Sequence, residues 1–191
     1  MIKYKLESSY SVKPFTKHEF YKDKTLELIS SSNYKSPKSE VAEVNITKTD
    51  WNFAKTNREW VSHLQEPLMS EVFEIYENMG YSGFQVNEIW FQQYLKESEH
   101  GWHIHSSNFT NVYYLELPEG TPKTQIINPY NQKDIIEVDV KEGDLLVFPS
   151  YVLHKAPKNN SDKRKTIISY NIDVFYGDEM YGHNLLKEKK D

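Results

Sequence analysis

The chain has 191 residues, a formal net charge of -5, no cysteine, and 27% charged side chains. That length suits one domain with a sizeable core, and the charge gives no overall attraction to phosphate backbones, so nucleic acid is unsupported as a partner. Without thiols there are no disulfides or thiolate metal sites, and any metal must be held by imidazole, carboxylate or water.

Residues 16–19, Thr-Lys-His-Glu, have capping-box spacing, and Phe20, Leu26 and Ile29 then share one helical face, which predicts a first helix of about 12–15 residues. The serine-rich stretch 30–39, with Pro37, reads as loop. From 57 to 78 the apolar positions Trp60, Val61, Leu64, Leu68, Val72, Phe73 and Ile75 recur at helical intervals, with Pro67 expected to kink or split the stretch and Gly80 and Gly83 to end it. Beyond this the pattern changes to short β-prone runs, read at 86–95, 102–106, 110–117, 124–128, 134–140, 144–148, 151–156 and 164–175. Turn residues separate them at 118–120, 128–131, 142–144 and 157–162. The expected fold is mainly β, within an α+β whole: a double-stranded β-helix, or jelly roll, of about eight strands with N-terminal supporting helices. We expect a single domain over 1–191, with a helical and loop support region at 1–83, the jelly-roll catalytic core at 84–176 and a tail at 177–191. With no run of about 18 apolar residues and no apolar stretch at the start, a cytoplasmic protein without a membrane partner is expected. The oligomeric state is open, a homodimer included.

Two of the seven histidines, His103 and His105, are spaced i and i+2 in a β-prone run, so both project from one face, and His154 falls near the start of a later run that a jelly roll brings to the same mouth. That is the outline of a mononuclear site with three imidazole ligands. His100 sits in a turn, off this alternation, and is expected on the surface or behind the ligands; His18, His63 and His183 are expected on solvent-facing surfaces. Ten residues after His154 comes Arg164, whose planar guanidinium fits a carboxylate in two parallel hydrogen bonds, as a lysine cannot.

The ordered set Gly101-Trp102-His103-Ile104-His105, Asn111-Val112-Tyr113-Tyr114, Gly143-Asp144-Leu145-Leu146-Val147-Phe148-Pro149-Ser150, His154, Arg164-Lys165-Thr166 and Ser169-Tyr170-Asn171 resembles the 2-oxoglutarate- and iron(II)-dependent oxygenases, in particular a group common in bacteria and tailed phages. The resemblance covers about half of the chain, from 84 to 175. It implies Fe(II) held by His103, His105 and His154, 2-oxoglutarate as cosubstrate, dioxygen and an unidentified prime substrate as partners, and hydroxylation with release of succinate and CO2. It further implies that Arg164 receives the C5 carboxylate of 2-oxoglutarate with help from Thr166, and that Tyr94 and Gln92 contact the cosubstrate. Tyr113 is expected to line the pocket and Asn171 to bond within it. The pattern departs from the usual two-histidine, one-carboxylate triad, because His105 stands where a carboxylate is common. Two alternatives stay open: a three-histidine cupin-type dioxygenase or isomerase, and a non-catalytic jelly-roll binding module.

Overall fold

The computed structural model describes residues 9–34 and 44–176. Its elements in chain order are β1 (Ser11–Pro14), α1 (His18–Ser31), β2 (Val44–Asn45), β3 (Lys48–Thr49), a 3-10 turn (Trp51–Phe53), α2 (Glu59–Asn78), β4 (Gly83–Tyr94), β5 (Glu99–His103), β6 (Phe109–Glu116), β7 (Gln125–Ile127), β8 (Ile135–Glu137), β9 (Asp144–Pro149), β10 (His154–Ala156) and β11 (Lys165–Phe175). All eight β-prone runs thus form strands in whole or in part, and three short ones, of four, two and two residues, are added at the N-terminal end. The expected tail at 177–191, with His183, and part of the 30–39 loop lie outside the described residues.

The strands form two antiparallel sheets, one ordered β1-β9-β6-β11-β4-β3 and the other β2-β5-β10-β7-β8, which is the double-stranded β-helix. Strand β11 lies at the centre of the larger sheet, paired to β4 and β6 along its length. Its side chains therefore alternate between the helix-packed core and the space between the sheets. Ile168, Tyr170, Ile172 and Val174 face Trp60, Leu64, Leu68 and Val72 of α2, while Ile167 faces Ile126, Phe148 and Val152 between the sheets. The helices buttress the outer face and leave the space between the sheets for the site.

Local expectations fail where tertiary contacts outcompete them. The capping box at Thr16 does not form, because its hydroxyl donates to Glu71 of α2 and Lys17 at the helix start makes no side-chain cap. Phe20 is 78% exposed, whereas Ile29 is buried as expected and Leu26 packs against the core, with His18 and Thr25 also buried. His18, expected in solvent, is buried with Nδ1 2.7 Å from the Tyr113 hydroxyl. Its ring lies 3.0 Å from where a Cβ on Gly143 would stand, and Gly143 has φ +87°, so that turn tolerates no larger residue. Pro67 neither ends nor splits α2, which runs on for 20 residues with one backbone donor missing.

Candidate metal centre

His103 ends β5 and His154 begins β10, and the sheet register places them directly opposite each other, with ring centroids 4.2 Å apart. His105 lies two residues past the end of β5, held there by its backbone N–H on Ser150 O at 3.0 Å, so the strand expected at 102–106 is shifted toward the N-terminus. One nitrogen of each of the three rings falls within 4.8 Å of the others.

The hydrogen bonds decide which nitrogen that is. Nδ1 of His103 donates to Gly101 O at 2.7 Å and Nδ1 of His154 to Val152 O at 2.9 Å, because a carbonyl oxygen only accepts. Nδ1 of His105 lies 2.7 Å from Asn171 Oδ1. Each ring thus keeps Nε2 as a free lone pair toward the common centre. Burial, reinforced by the neighbouring imidazoles, pushes His103 down to about 4 and His154 well below the ordinary histidine range. Burial likewise lowers His105, against the opposing pull of Asn171 and Glu88. The rings are neutral at physiological pH, as metal ligation requires.

His100 is not on the surface. It is buried, stacked on His103 at 3.8 Å with an interplanar angle of 16°, and 3.4 Å from Gln92 Nε2. Gln92 and Tyr94 line the same pocket, with Trp90, Thr124, Ile167 and Ser169. Toward solvent the pocket opens into a cleft walled by Trp51, Glu88, Trp90, Ile104, Ser106 and Asn171.

Arg164 and Thr166 are not brought to this pocket. Thr166 stands on the opposite face of β11 and Arg164 immediately precedes the strand; the Arg164 guanidinium forks onto Glu116 at 2.8 and 2.9 Å and the Thr166 hydroxyl donates to the same carboxylate. The fork expected to meet a ligand carboxylate already holds one from the protein. Tyr113 also faces away, into the helix-side core. The pocket face of β11 instead carries Lys165, Ile167, Ser169 and Asn171. Lys165 is fully buried, with Nζ 2.9 Å from Pro122 O and 4.9 Å above the Tyr94 ring, and among the described residues no carboxylate pairs with it. Burial pushes its ammonium down to about 7. The Tyr94 hydroxyl beside it is buried without a partner. Lys165 was legible in principle: in 165–174 one parity is Thr166, Ile168, Tyr170, Ile172 and Val174, mostly apolar, and the other is Lys165, Ile167, Ser169, Asn171 and Asp173, mostly polar.

Residues 120–171 match the family model described as "Putative 2OG-Fe(II) oxygenase". Over that segment the chain is similar to the 2OG-Fe(II) oxygenases. The fold is similar to that of a Pseudomonas putida prolyl-4-hydroxylase, with a TM-score of 0.62, 14% identity, and 87% of this chain and 92% of that one covered. It is also similar to a viral collagen prolyl hydroxylase from Paramecium Bursaria Chlorella virus-1 in its 2OG complex (TM-score 0.58, 14% identity, 85% and 94% covered). A third similar structure is the carbocyclase SnoK of nogalamycin biosynthesis (TM-score 0.62, 13% identity, 95% and 87% covered). No curated protein sequence matches the chain. The description of the matched model names Fe(II) and 2OG, and the viral hydroxylase is seen with 2OG bound. The donor set fits both: three neutral imidazoles suit a first-row dication, and an unpaired buried ammonium next to an unpartnered hydroxyl suits an anion.

Proposed function

We propose that the protein hydroxylates an organic prime substrate in an Fe(II)- and 2-oxoglutarate-dependent reaction, with His103, His105 and His154 holding the metal. The observation that carries this reading is the convergence of three imidazoles on one centre, His154 buried and His103 and His105 half-buried, with the unpaired ammonium of Lys165 on the same inner face. Bound iron and 2-oxoglutarate supply the oxidising chemistry that side chains lack, consuming dioxygen and releasing succinate and CO2. The protein's part is to bind and orient. In this reading Lys165 takes the role first expected of Arg164: its ammonium receives the C5 carboxylate of 2-oxoglutarate, and the Tyr94 hydroxyl donates a hydrogen bond to it. Without the anion, both groups are buried and poorly satisfied, a cost that ligand binding relieves. Gln92, already accepting from the Ser169 hydroxyl at 3.2 Å, lines the wall between that end and the imidazoles. The aromatic cleft of Trp51 and Trp90 receives the prime substrate and keeps water from the reacting centre.

The test is anaerobic loading with Fe(II), then measurement of succinate formed from 2-oxoglutarate under air. Wild type should turn over, His154→Ala should retain no iron, and Lys165→Ala should raise the 2-oxoglutarate requirement by roughly two orders of magnitude, the cost of a buried charge-assisted contact. Arg164→Ala should leave that requirement within about threefold of wild type, since removing a partly exposed ion pair remote from the pocket has little effect. Iron retention indifferent to 2-oxoglutarate would favour the three-histidine cupin reading instead, and absence of metal binding the non-catalytic module.

A further inference from the structure

Two of the three converging imidazoles are oriented by main-chain carbonyls, Gly101 O and Val152 O, which any side chain at those positions would supply. His105 differs. It lies beyond the end of β5, and the partner of its Nδ1 is a side chain, the Asn171 amide, at 2.7 Å. An amide can present either its oxygen or its NH2 group, so something must choose. Glu88 does so: its Oε2 is 2.9 Å from Asn171 Nδ2, and an ionised carboxylate only accepts. The NH2 group is thereby turned to Glu88 and Oδ1 to His105, which fixes the proton on Nδ1 and leaves the Nε2 lone pair free. The arrangement is built into the sheet, since Asn171 and Glu88 are register partners across β11 and β4. Trp90 holds the ring plane from one side, stacked on His105 at 5.8 Å and 17°.

We propose that Glu88, acting through Asn171, is a positioning residue that makes His105 a metal ligand and places a negative charge behind the ligand that occupies the usual carboxylate position. The inference rests on the reading of the three histidines as metal ligands. Three neutral imidazoles leave a bound dication uncompensated, and a carboxylate two hydrogen bonds away raises the basicity of the ring it polarises. Lys55, 3.6 Å from Glu88, is largely exposed and water-screened, so it offsets little of that charge. With Glu88 lost, the amide is free to flip, offering its NH2 to Nδ1 and driving the proton onto Nε2, where it blocks the ligand position.

Two measurements test this. Nitrogen-15 NMR of the imidazoles in metal-free protein should show His105 as the Nδ1–H tautomer in wild type, and as a mixture or the Nε2–H tautomer in Glu88→Gln and Asn171→Leu. Anaerobic Fe(II) titration, followed by calorimetry, should show affinity falling roughly 10- to 100-fold in both variants, the usual effect of removing a group that orients a ligand. The double variant Glu88→Gln/Asn171→Asp puts the carboxylate directly on Nδ1 with an amide donating to it, and should return affinity to within about threefold of wild type, a rescue that a merely structural role would not produce. Should Asn171→Leu fail to fold, the partly exposed Glu88→Gln decides alone. An Nε2–H tautomer in wild type, or Fe(II) affinity unchanged in Glu88→Gln while wild type binds iron, overturns the proposal and leaves the metal reading standing. Wild type that binds no Fe(II) overturns both.

Discussion

Lys165 is a fully buried ammonium without a counter-charge among the described residues, and its protonation follows from that position. Burial lowers it from 10.5 in the unfolded chain to about 7 in the fold. Between those values the unfolded state binds more protons, so this residue makes stability rise with pH across the window, and its full penalty is felt below about 7. Lys165→Met should therefore raise the melting temperature of metal-free protein more at pH 6 than at pH 10, as differential scanning calorimetry would show. The same group should make 2-oxoglutarate affinity fall as pH rises past about 7, because only the ammonium pairs with the carboxylate. Calorimetric titrations from pH 6 to pH 9 would show this slope in wild type and its loss in Lys165→Met. The three imidazoles were legible from i, i+2 spacing and strand order. Arg164 was misread because chemical suitability for a carboxylate does not reveal which strand face a residue occupies, and a one-residue change of parity exchanges the two faces.

At the scale of elements, the 3-10 turn, the start of α2 and β4 are tied together by one buried carboxylate. Asp50 lies 2.8 Å from Arg58 Nε, accepts from Trp60 Nε1 at 2.8 Å and from Phe91 N at 2.9 Å. Arg58 also donates to the carbonyls of Phe53, Thr56 and Ile89. Trp51, next in sequence to Asp50, stacks on Trp90 at 5.9 Å and forms one wall of the cleft. Asp50→Ala leaves a guanidinium buried without its counter-ion, and should destabilise the fold by about 3–5 kcal/mol in urea denaturation. None of this was visible as sequence pattern, because Asp50, Arg58, Trp60 and Phe91 come from separate elements. The long apolar period of α2 and the β-prone runs that form β4, β6 and β11 were visible, since each is a property of a contiguous stretch.

For the whole molecule, the site lies between two sheets whose strands come from distant parts of the chain, so a ligand that fits it binds the native state and not the unfolded one. Fe(II) with 2-oxoglutarate at about 100 times its dissociation constant should add about 2.7 kcal/mol of stability. In a chain of this size that is a rise of roughly 5–10 °C in melting temperature, measured by anaerobic thermal shift, and Lys165→Met should lose the 2-oxoglutarate part of it. By itself the sequence determined the β-rich class, the two preceding helices, the absence of thiolate chemistry and the three histidines, because composition, period and spacing are local quantities. Only the tertiary structure decided that Lys165 rather than Arg164 faces inward, that His100 stacks on His103, that Glu88 stands behind His105 through Asn171, and that His18 is buried. Each of these depends on which strands become neighbours and in what register, and that is settled by the packing of the two sheets and the helices together.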